Sequence, residues 1–208
     1  MGDAKQETIS AYDAAAVEYA AETAQMPDAI RADIARFARL LGGSGRVLEI
    51  GSGGGRDARE MESLGLSVRR TDIAPGFVQL LREQGYEAEV MDPLSDDLDD
   101  PQRPGVKYDG VWAQACLMHV ARQDLATVLR RLADVTKPAG LLFVSVTEGD
   151  GQRVETGRTG RRYHQTDWRE PELRKVVSTS GWVVDEVWSS EGKTSPFLNL
   201  IGHRAHPH

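Results

Sequence analysis

Apolar positions along this chain repeat in two rhythms, and the two take turns. Residues 27–41 carry Ile30, Ile34, Phe37 and Leu41 at helical spacing behind Pro27, and the Gly-Gly-Ser-Gly stretch at 42–45 ends that helix. The pattern predicts an alanine-rich helix before it, over 7–24, with Tyr12 and Tyr19 two turns apart on one face. From residue 46 onward short apolar runs at 46–50, 66–72, 86–91, 108–112, 141–146, 182–188 and 196–203 read as strands. Helical patterns fill 56–64, 75–85, 124–135 and 167–179. Strands alternating with helices imply βαβ units and a parallel sheet, whereas the short link at 189–195 forces the last two strands to be antiparallel. The expected fold is therefore α/β: a doubly wound seven-stranded sheet, mostly parallel with one antiparallel strand, helices on both faces and an N-terminal helical cap. Residues 1–44 are expected to cap a pocket and 45–208 to form the core. Two segments read as loops: an acidic one at 92–100, with Asp96, Asp97, Asp99 and Asp100 solvated, and a Gly/Arg-rich one at 148–162.

Composition narrows the partners. The 208 residues are 40% hydrophobic and 27% charged, as expected of one folded domain. A net charge of −7 argues against a nucleic-acid partner. The single cysteine, Cys116, excludes an intrachain disulfide and a cysteine zinc cluster, and it suits a reducing, cytoplasmic setting. No apolar run is long enough to span a membrane, the start lacks a signal-peptide pattern, and Gln6 stands where myristoylation after Met1-Gly2 wants Ser or Thr. Oligomeric state is not legible in the sequence.

The chemistry concentrates at Glu49-Ile50-Gly51-Ser52-Gly53-Gly54-Gly55-Arg56. Glycines directly after a strand let the chain turn sharply and expose bare backbone to a ligand. The dinucleotide fingerprint would need glycine where Arg56 stands, and the Gly-Lys-Ser/Thr of a phosphate loop is absent. Further acidic or polar strand exits follow at Thr71-Asp72-Ile73, Met91-Asp92-Pro93 and Trp112-Ala113-Gln114-Ala115, with a Lys137-Pro138-Ala139-Gly140 turn before the fifth strand.

This ordered set resembles the class I S-adenosylmethionine-dependent methyltransferases, in their small, free-standing Rossmann-like form, over nearly the whole chain from residue 8. The resemblance implies S-adenosylmethionine as cofactor and S-adenosylhomocysteine as product, with no metal. It implies that Gly51, Ser52 and Gly53 face the methionine part, and that Gly55 belongs to the same cofactor-binding loop. Glu49 would orient the loop or meet the cationic amino group. Asp72, beside Ile73, would accept from the ribose hydroxyls. Asp92, with Pro93, would receive the adenine amino group, and Gln114 and Ala115 would lie near the methyl group. Arg56 has two readings, a contact to the cofactor carboxylate or substrate, and an ordinary surface arginine.

For the acceptor side, His119 is the candidate base, with a capping or core histidine as the other reading. Tyr19 is the candidate pocket tyrosine of the first helix, and His164 a further candidate. Cys116 has no activating neighbour in sequence and reads as a structural thiol. The arginines between 153 and 175, Arg158 among them, suit either an anionic substrate or pairing with nearby glutamates, and His203, His206 and His208 read as incidental. The implied function is methyl transfer by direct displacement to a small molecule or short peptide of specialised metabolism. A non-catalytic module binding the same cofactor, and an NAD-dependent oxidoreductase, are the alternatives.

Overall fold

The computed structural model describes residues 2–157, 159–192 and 194–206 of the chain. Met1, Arg158 and His208, each touched by an expectation above, lie outside them. Two N-terminal helices, α1 (Gly2–Glu22) and α2 (Asp28–Leu40), precede β1 (Gly45–Ile50), α3 (Arg56–Ser63), β2 (Leu66–Asp72), α4 (Pro75–Glu83), β3 (Ala88–Val90) and β4 (Tyr108–Gln114). A 3-10 turn, Leu117–His119, leads into α5 (Leu125–Asp134) and β5 (Thr136–Thr147). Then come β6 (Gln152–Thr156), β7 (Arg162–Thr166), α6 (Glu170–Ser178), β8 (Trp182–Ser190) and β9 (Phe197–Arg204).

The main sheet has seven strands in the order β3-β2-β1-β4-β5-β9-β8. β9 runs antiparallel to both β5 and β8, and the pairings among β3, β2, β1, β4 and β5 are parallel. The expected doubly wound sheet with one reversed strand is the one observed. The order reverses between β1 and β4, which opens a crevice at the carboxyl ends of these strands, where ligands bind in such sheets.

Each strand serves two cores by alternation. Val47, Trp112 and Phe143 face α2 and α3, with Trp112 stacked on Phe143 at 3.9 Å between ring centres. Leu48, Ile50, Val111 and Val144 face α5 and α6 on the other side. α2 buries Ile34, Phe37 and Ala38 in the first of these cores, so it belongs to the helical layer on the sheet. α1 instead lies over α4, with Ala16 against Phe77. The Lys-Pro-Ala-Gly stretch expected as a turn lies within β5, at an irregularity in its pairing with β4, and its Ala139 takes φ +60°, a left-handed conformation that glycine adopts more easily.

Two loop expectations are corrected. Within and just after the expected 148–162 loop, residues 152–156 and 162–166 pair as a separate antiparallel hairpin, β6 with β7, in register from Gln152 opposite Thr166 to Thr156 opposite Arg162. Its alternation is largely polar, which hid it. Asp100 is not solvated: it is buried, with Arg46 Nε donating to it at 2.7 Å from the start of β1.

Candidate functional site

Glu49, next to last in β1, faces inward, and burial pushes its carboxyl up to about 8; Asp57 and Asp72 add to that push, while Ser52 and Arg70 oppose it. The Ser52 hydroxyl donates to Glu49 and accepts from the Thr71 amide at 3.1 Å, and Thr71 Oγ1 donates to the Glu49 carbonyl at 2.6 Å. These bonds fasten the loop exit of β1 to the end of β2. Glu49 thus supports the loop from beneath.

Three glycines of the loop have left-handed φ: Gly51 at +72°, Gly53 at +51° and Gly55 at +74°. Their surroundings differ. A Cβ on Gly51 would lie 2.5 Å from Cys116 Cβ, and one on Gly55 would lie 2.6 Å from Leu81. A Cβ on Gly53 would meet nothing within 4 Å. Gly53 is therefore where the loop presents bare backbone to open space, as a ligand-facing glycine must.

Asp72, buried at the end of β2, accepts from the Gly53 and Ala74 amides, each at 2.9 Å. Burial pushes its carboxyl up to about 6, against the pull of those amides and that of Ile73. Arg56 is engaged within the protein: Nε donates to Asp57 at 2.8 Å and Nη1 to the Thr23 carbonyl at 3.2 Å. It ties α3 to the end of α1. Asp92 accepts from the Leu94 amide, the Ser95 hydroxyl and the Lys5 ammonium. Its partial burial pushes its carboxyl up, but Lys5 and those donors outweigh this and hold it below the usual range. Ala115, at the exit of β4, takes φ +50° and donates its amide to the Ser145 carbonyl at 3.0 Å. Strained backbone of this kind at a strand end persists where surroundings over-determine it. The Gln114 Oε1 beside it accepts from no described residue.

A cavity of about 510 Å³ opens over these strand ends. Its walls come from Gly51, Ile73, Asp92 and Pro93, from Cys116, His119 and Val120 after β4, from His164 on β7, and from Lys5 and Thr8 on α1. α1 and the β6–β7 hairpin roof it. The Cys116 thiol donates to the Ile50 carbonyl at 3.0 Å, and burial pushes it up, so it is an inert structural group.

His119 sits where three segments meet. Nδ1 lies 2.7 Å from the His164 carbonyl, and Nε2 lies 2.9 Å from the Tyr12 hydroxyl. Burial pushes the imidazole down to about 4; the His164 carbonyl opposes this and the His164 ring adds to it. Tyr12 is the tyrosine of α1 that reaches His119. Tyr19 packs edge-on against Tyr12 at 5.7 Å and against Phe77 at the same distance. The His164 amide donates to Thr8 on α1, and its ring faces Thr166. Sequence placed both tyrosines on one helix face and chose Tyr19 for the pocket; in the structure neither is among the cavity-lining residues, and Tyr12 is the one that reaches His119, a choice made by the roof that no local pattern reports.

The arginines of 153–175 are divided. Arg153, Arg169 and Arg174 pair with Asp167 and Glu155, Asp150, and Glu170. Arg161 and Arg162 are exposed at the hairpin turn. Among the described residues no cluster of His, Cys, Asp or Glu could hold a metal ion, and no helix is long and apolar enough to cross a membrane.

Comparison with known proteins gives a consistent picture. Residues 48–144 match a family model described as a methyltransferase domain. A ubiquinone biosynthesis O-methyltransferase of Xanthomonas axonopodis pv. citri (strain 306) is 34% identical over 165 residues, 72% of this chain and 67% of that protein. The match to its counterpart in Xanthomonas campestris pv. campestris (strain B100) is 34% identical over 111 residues, 52% of this chain but 45% of the relative, so the matched region is about half the length of that protein. Among solved structures, a DhpI–SAH complex superposes with a TM-score of 0.73 over 100% of both chains at 21% identity. A 1,6-didemethyltoxoflavin-N1-methyltransferase of Burkholderia thailandensis superposes with a TM-score of 0.67 at 22% identity, covering 86% of this chain and 79% of that one. At such identities these two likenesses are of fold.

Proposed function

The chain belongs to the class I S-adenosylmethionine-dependent methyltransferases, and from that premise we propose that it transfers a methyl group from S-adenosylmethionine to a small molecule. The observation that carries this reading is a 510 Å³ cavity lined by Gly51 and Ile73 at the ends of β1 and β2, next in the chain to the open face of Gly53 and to the buried carboxyls of Glu49 and Asp72. A cavity of that size suits a ligand of a few tens of atoms. Both carboxyls are pushed up by burial, and among the described residues neither accepts a hydrogen bond from a cationic side chain, so a cationic ligand complements them.

When bound, the cofactor supplies an electrophilic methyl carbon on a sulfonium, open to direct displacement by the acceptor. The chain's own residues do the rest. The backbone of Gly51 to Gly53 cradles the ligand without a side chain in the way. Asp72 has lone pairs left after Gly53 and Ala74 to accept from ribose hydroxyls. Residues 91–94 and Ile73 would hold the adenine end, with the Asp92 carboxylate shared between it and Lys5. α1 and the hairpin exclude water from the reacting end, and alignment in a dry site supplies much of the rate.

The relatives are named for O-methylation of a small molecule, which favours a small hydroxylated acceptor over a peptide. The test is turnover of S-adenosylmethionine to S-adenosylhomocysteine across small phenols, amines and carboxylic acids. Equimolar product and methylated acceptor supports the reading. Cofactor bound with no turnover on any acceptor favours a non-catalytic binding module.

A further inference from the structure

Two histidines line the cavity, His119 and His164, and their hydrogen bonds run in opposite directions. At His119 both ring nitrogens are taken. A carbonyl oxygen can only accept, so Nδ1 carries the hydrogen that goes to His164, and Nε2 meets the Tyr12 hydroxyl. Burial also pushes this imidazole down to about 4, so His119 holds a proton poorly. His164 is wired differently. Its amide donates to Thr8 and its carbonyl accepts from His119, so its backbone is spent and what it offers the cavity is its ring. Ring Nε2 lies 3.2 Å from Thr166 Oγ1. The Thr166 hydroxyl has one hydrogen, and two acceptors claim it: the Val120 carbonyl at 3.0 Å, and Gln152 Oε1 at 3.4 Å. The Arg122 amide donates to that same Gln152 atom, which fixes it as the oxygen. Thr166 therefore accepts from His164, the ring hydrogen sits on Nε2, and in the neutral ring Nδ1 is a lone pair. Among the described residues nothing is bonded to that lone pair. Of the other ionisable side chains of the cavity, Cys116 gives its hydrogen to the Ile50 carbonyl, and Lys5 and Asp92 pair with each other. Asp124, next to the start of α5, is the rival proton acceptor among the described residues.

We propose that His164 is the general base of this site, taking through Nδ1 the proton of a hydroxyl or amine acceptor as that group attacks the methyl carbon. The acceptor's oxygen or nitrogen forms the new bond to carbon. The carbon–sulfur bond breaks with its electron pair left on sulfur, as S-adenosylhomocysteine, and the acceptor's proton ends on His164, to pass to water after the products leave. Thr166 is the positioning residue that holds the ring hydrogen on Nε2 and so keeps Nδ1 bare. The inference rests on the methyltransferase reading and names the residue that makes the acceptor of the same site reactive.

The experiment separates the two. S-adenosylhomocysteine is first titrated into the wild-type chain, and no binding sinks the methyltransferase reading itself and the inference with it. The nitrogen-15 shifts of the product-bound wild type at pH 8 should then show opposite tautomers, with the hydrogen on Nε2 in His164 and on Nδ1 in His119. Turnover of S-adenosylmethionine is followed at the same pH with two probes: phenol, which like tyrosine keeps its proton there, and 4-nitrophenol, which is already ionised. His164→Gln keeps an N–H for Thr166 but has no basic lone pair, so its loss should be confined to proton transfer. Turnover of phenol should fall at least about a hundredfold and that of 4-nitrophenol by no more than about threefold, with product affinity and melting temperature held. His164→Ala should show the same contrast between the probes. A hydrogen on Nδ1 of His164, an equal loss with both probes, turnover of neither probe by the wild type, or a phenol loss that follows Asp124→Asn in place of His164→Gln overturns the inference.

Discussion

The floor of the cavity and its roof are built on opposite principles. On the floor, a strand runs into glycines, Ser52 and Glu49 lock the turn from below, and Asp72 closes it from the next strand. Every partner belongs to one βαβ unit. The roof joins α1, the turn after β4 and a hairpin after β5: Thr8 to His164, Tyr12 to His119, His119 to the His164 carbonyl. Each of these contacts spans a large part of the chain, from 45 residues for His119–His164 to 156 for Thr8–His164. The floor is therefore specified locally and by backbone shape, and the roof by tertiary packing alone. Under the proposed function that division would suit their work, with a cofactor held by the floor and an acceptor met by the roof.

The sharpest way to break this comparison is within the loop itself. Gly53→Val should abolish product binding, by more than about a hundredfold, because its side chain fills the ligand's space. The fold should survive with a loss of about 1–2 kcal/mol for a side chain in left-handed backbone. Gly51→Val, aimed at Cys116 Cβ, should instead lower the melting temperature severely. Calorimetry and thermal melts on the pair separate ligand space from packing space; equal melting losses would remove the distinction.

Asp72→Ala should weaken S-adenosylhomocysteine by about 1.5–3 kcal/mol in an isothermal titration, the range for hydrogen bonds to a charged group. Asp72→Asn should lose nearly as much, since its amide must turn an NH₂ toward one of the two backbone donors. An affinity unchanged within a factor of two would remove Asp72 from the ribose.

Both carboxyls also set pH dependence. Ribose hydroxyls donate, so they favour ionised Asp72; with its carboxyl at about 6, product affinity should fall as pH drops through that value, by up to about tenfold per unit below it. Glu49 acts on stability, and in the opposite direction. Its folded value of about 8 lies above the ordinary 4.5, so the stability it contributes is complete below 4.5 and is lost as pH rises through 8. Melting temperature should decline over that window in the free protein, and Glu49→Gln should flatten the decline. A flat wild-type curve would show that Glu49 ionises freely.

The smallest effect belongs to the seam between roof and floor. Lys5 is 41% exposed in its pair with Asp92, and exposed ion pairs contribute little. Lys5→Ala should change product affinity by no more than about threefold, upward, as Asp92 is released to the ligand. A large loss would make Lys5 part of the binding surface.

Much of the floor was legible in the sequence because its causes are local. A strand period, a glycine run and an acidic strand end each leave a mark in a few residues, and Gly51 to Gly55, Asp72 and Asp92 stand where the pattern put them. The seven strands and the reversed β9 were legible for the same reason, from periodicity and one short link. The sequence pointed to Tyr19 where Tyr12 is the tyrosine that meets His119, because that contact is made by another part of the chain. The hairpin was hidden by a polar face on both sides of its alternation, as in Arg153-Val154-Glu155. Asp100 looked solvated among four acidic neighbours, and only the buried Arg46 across the sheet explains its burial.

The most direct test of the division between floor and roof is one titration of S-adenosylhomocysteine into three proteins, the wild type, Gly53→Val and Tyr12→Phe, with NAD as the control ligand. The expected result is saturable binding of the product, not NAD, to the wild type, the same affinity within about twofold in Tyr12→Phe, and none in Gly53→Val. Binding that survives in Gly53→Val, or is lost equally in Tyr12→Phe, or is replaced by NAD binding, would contradict it.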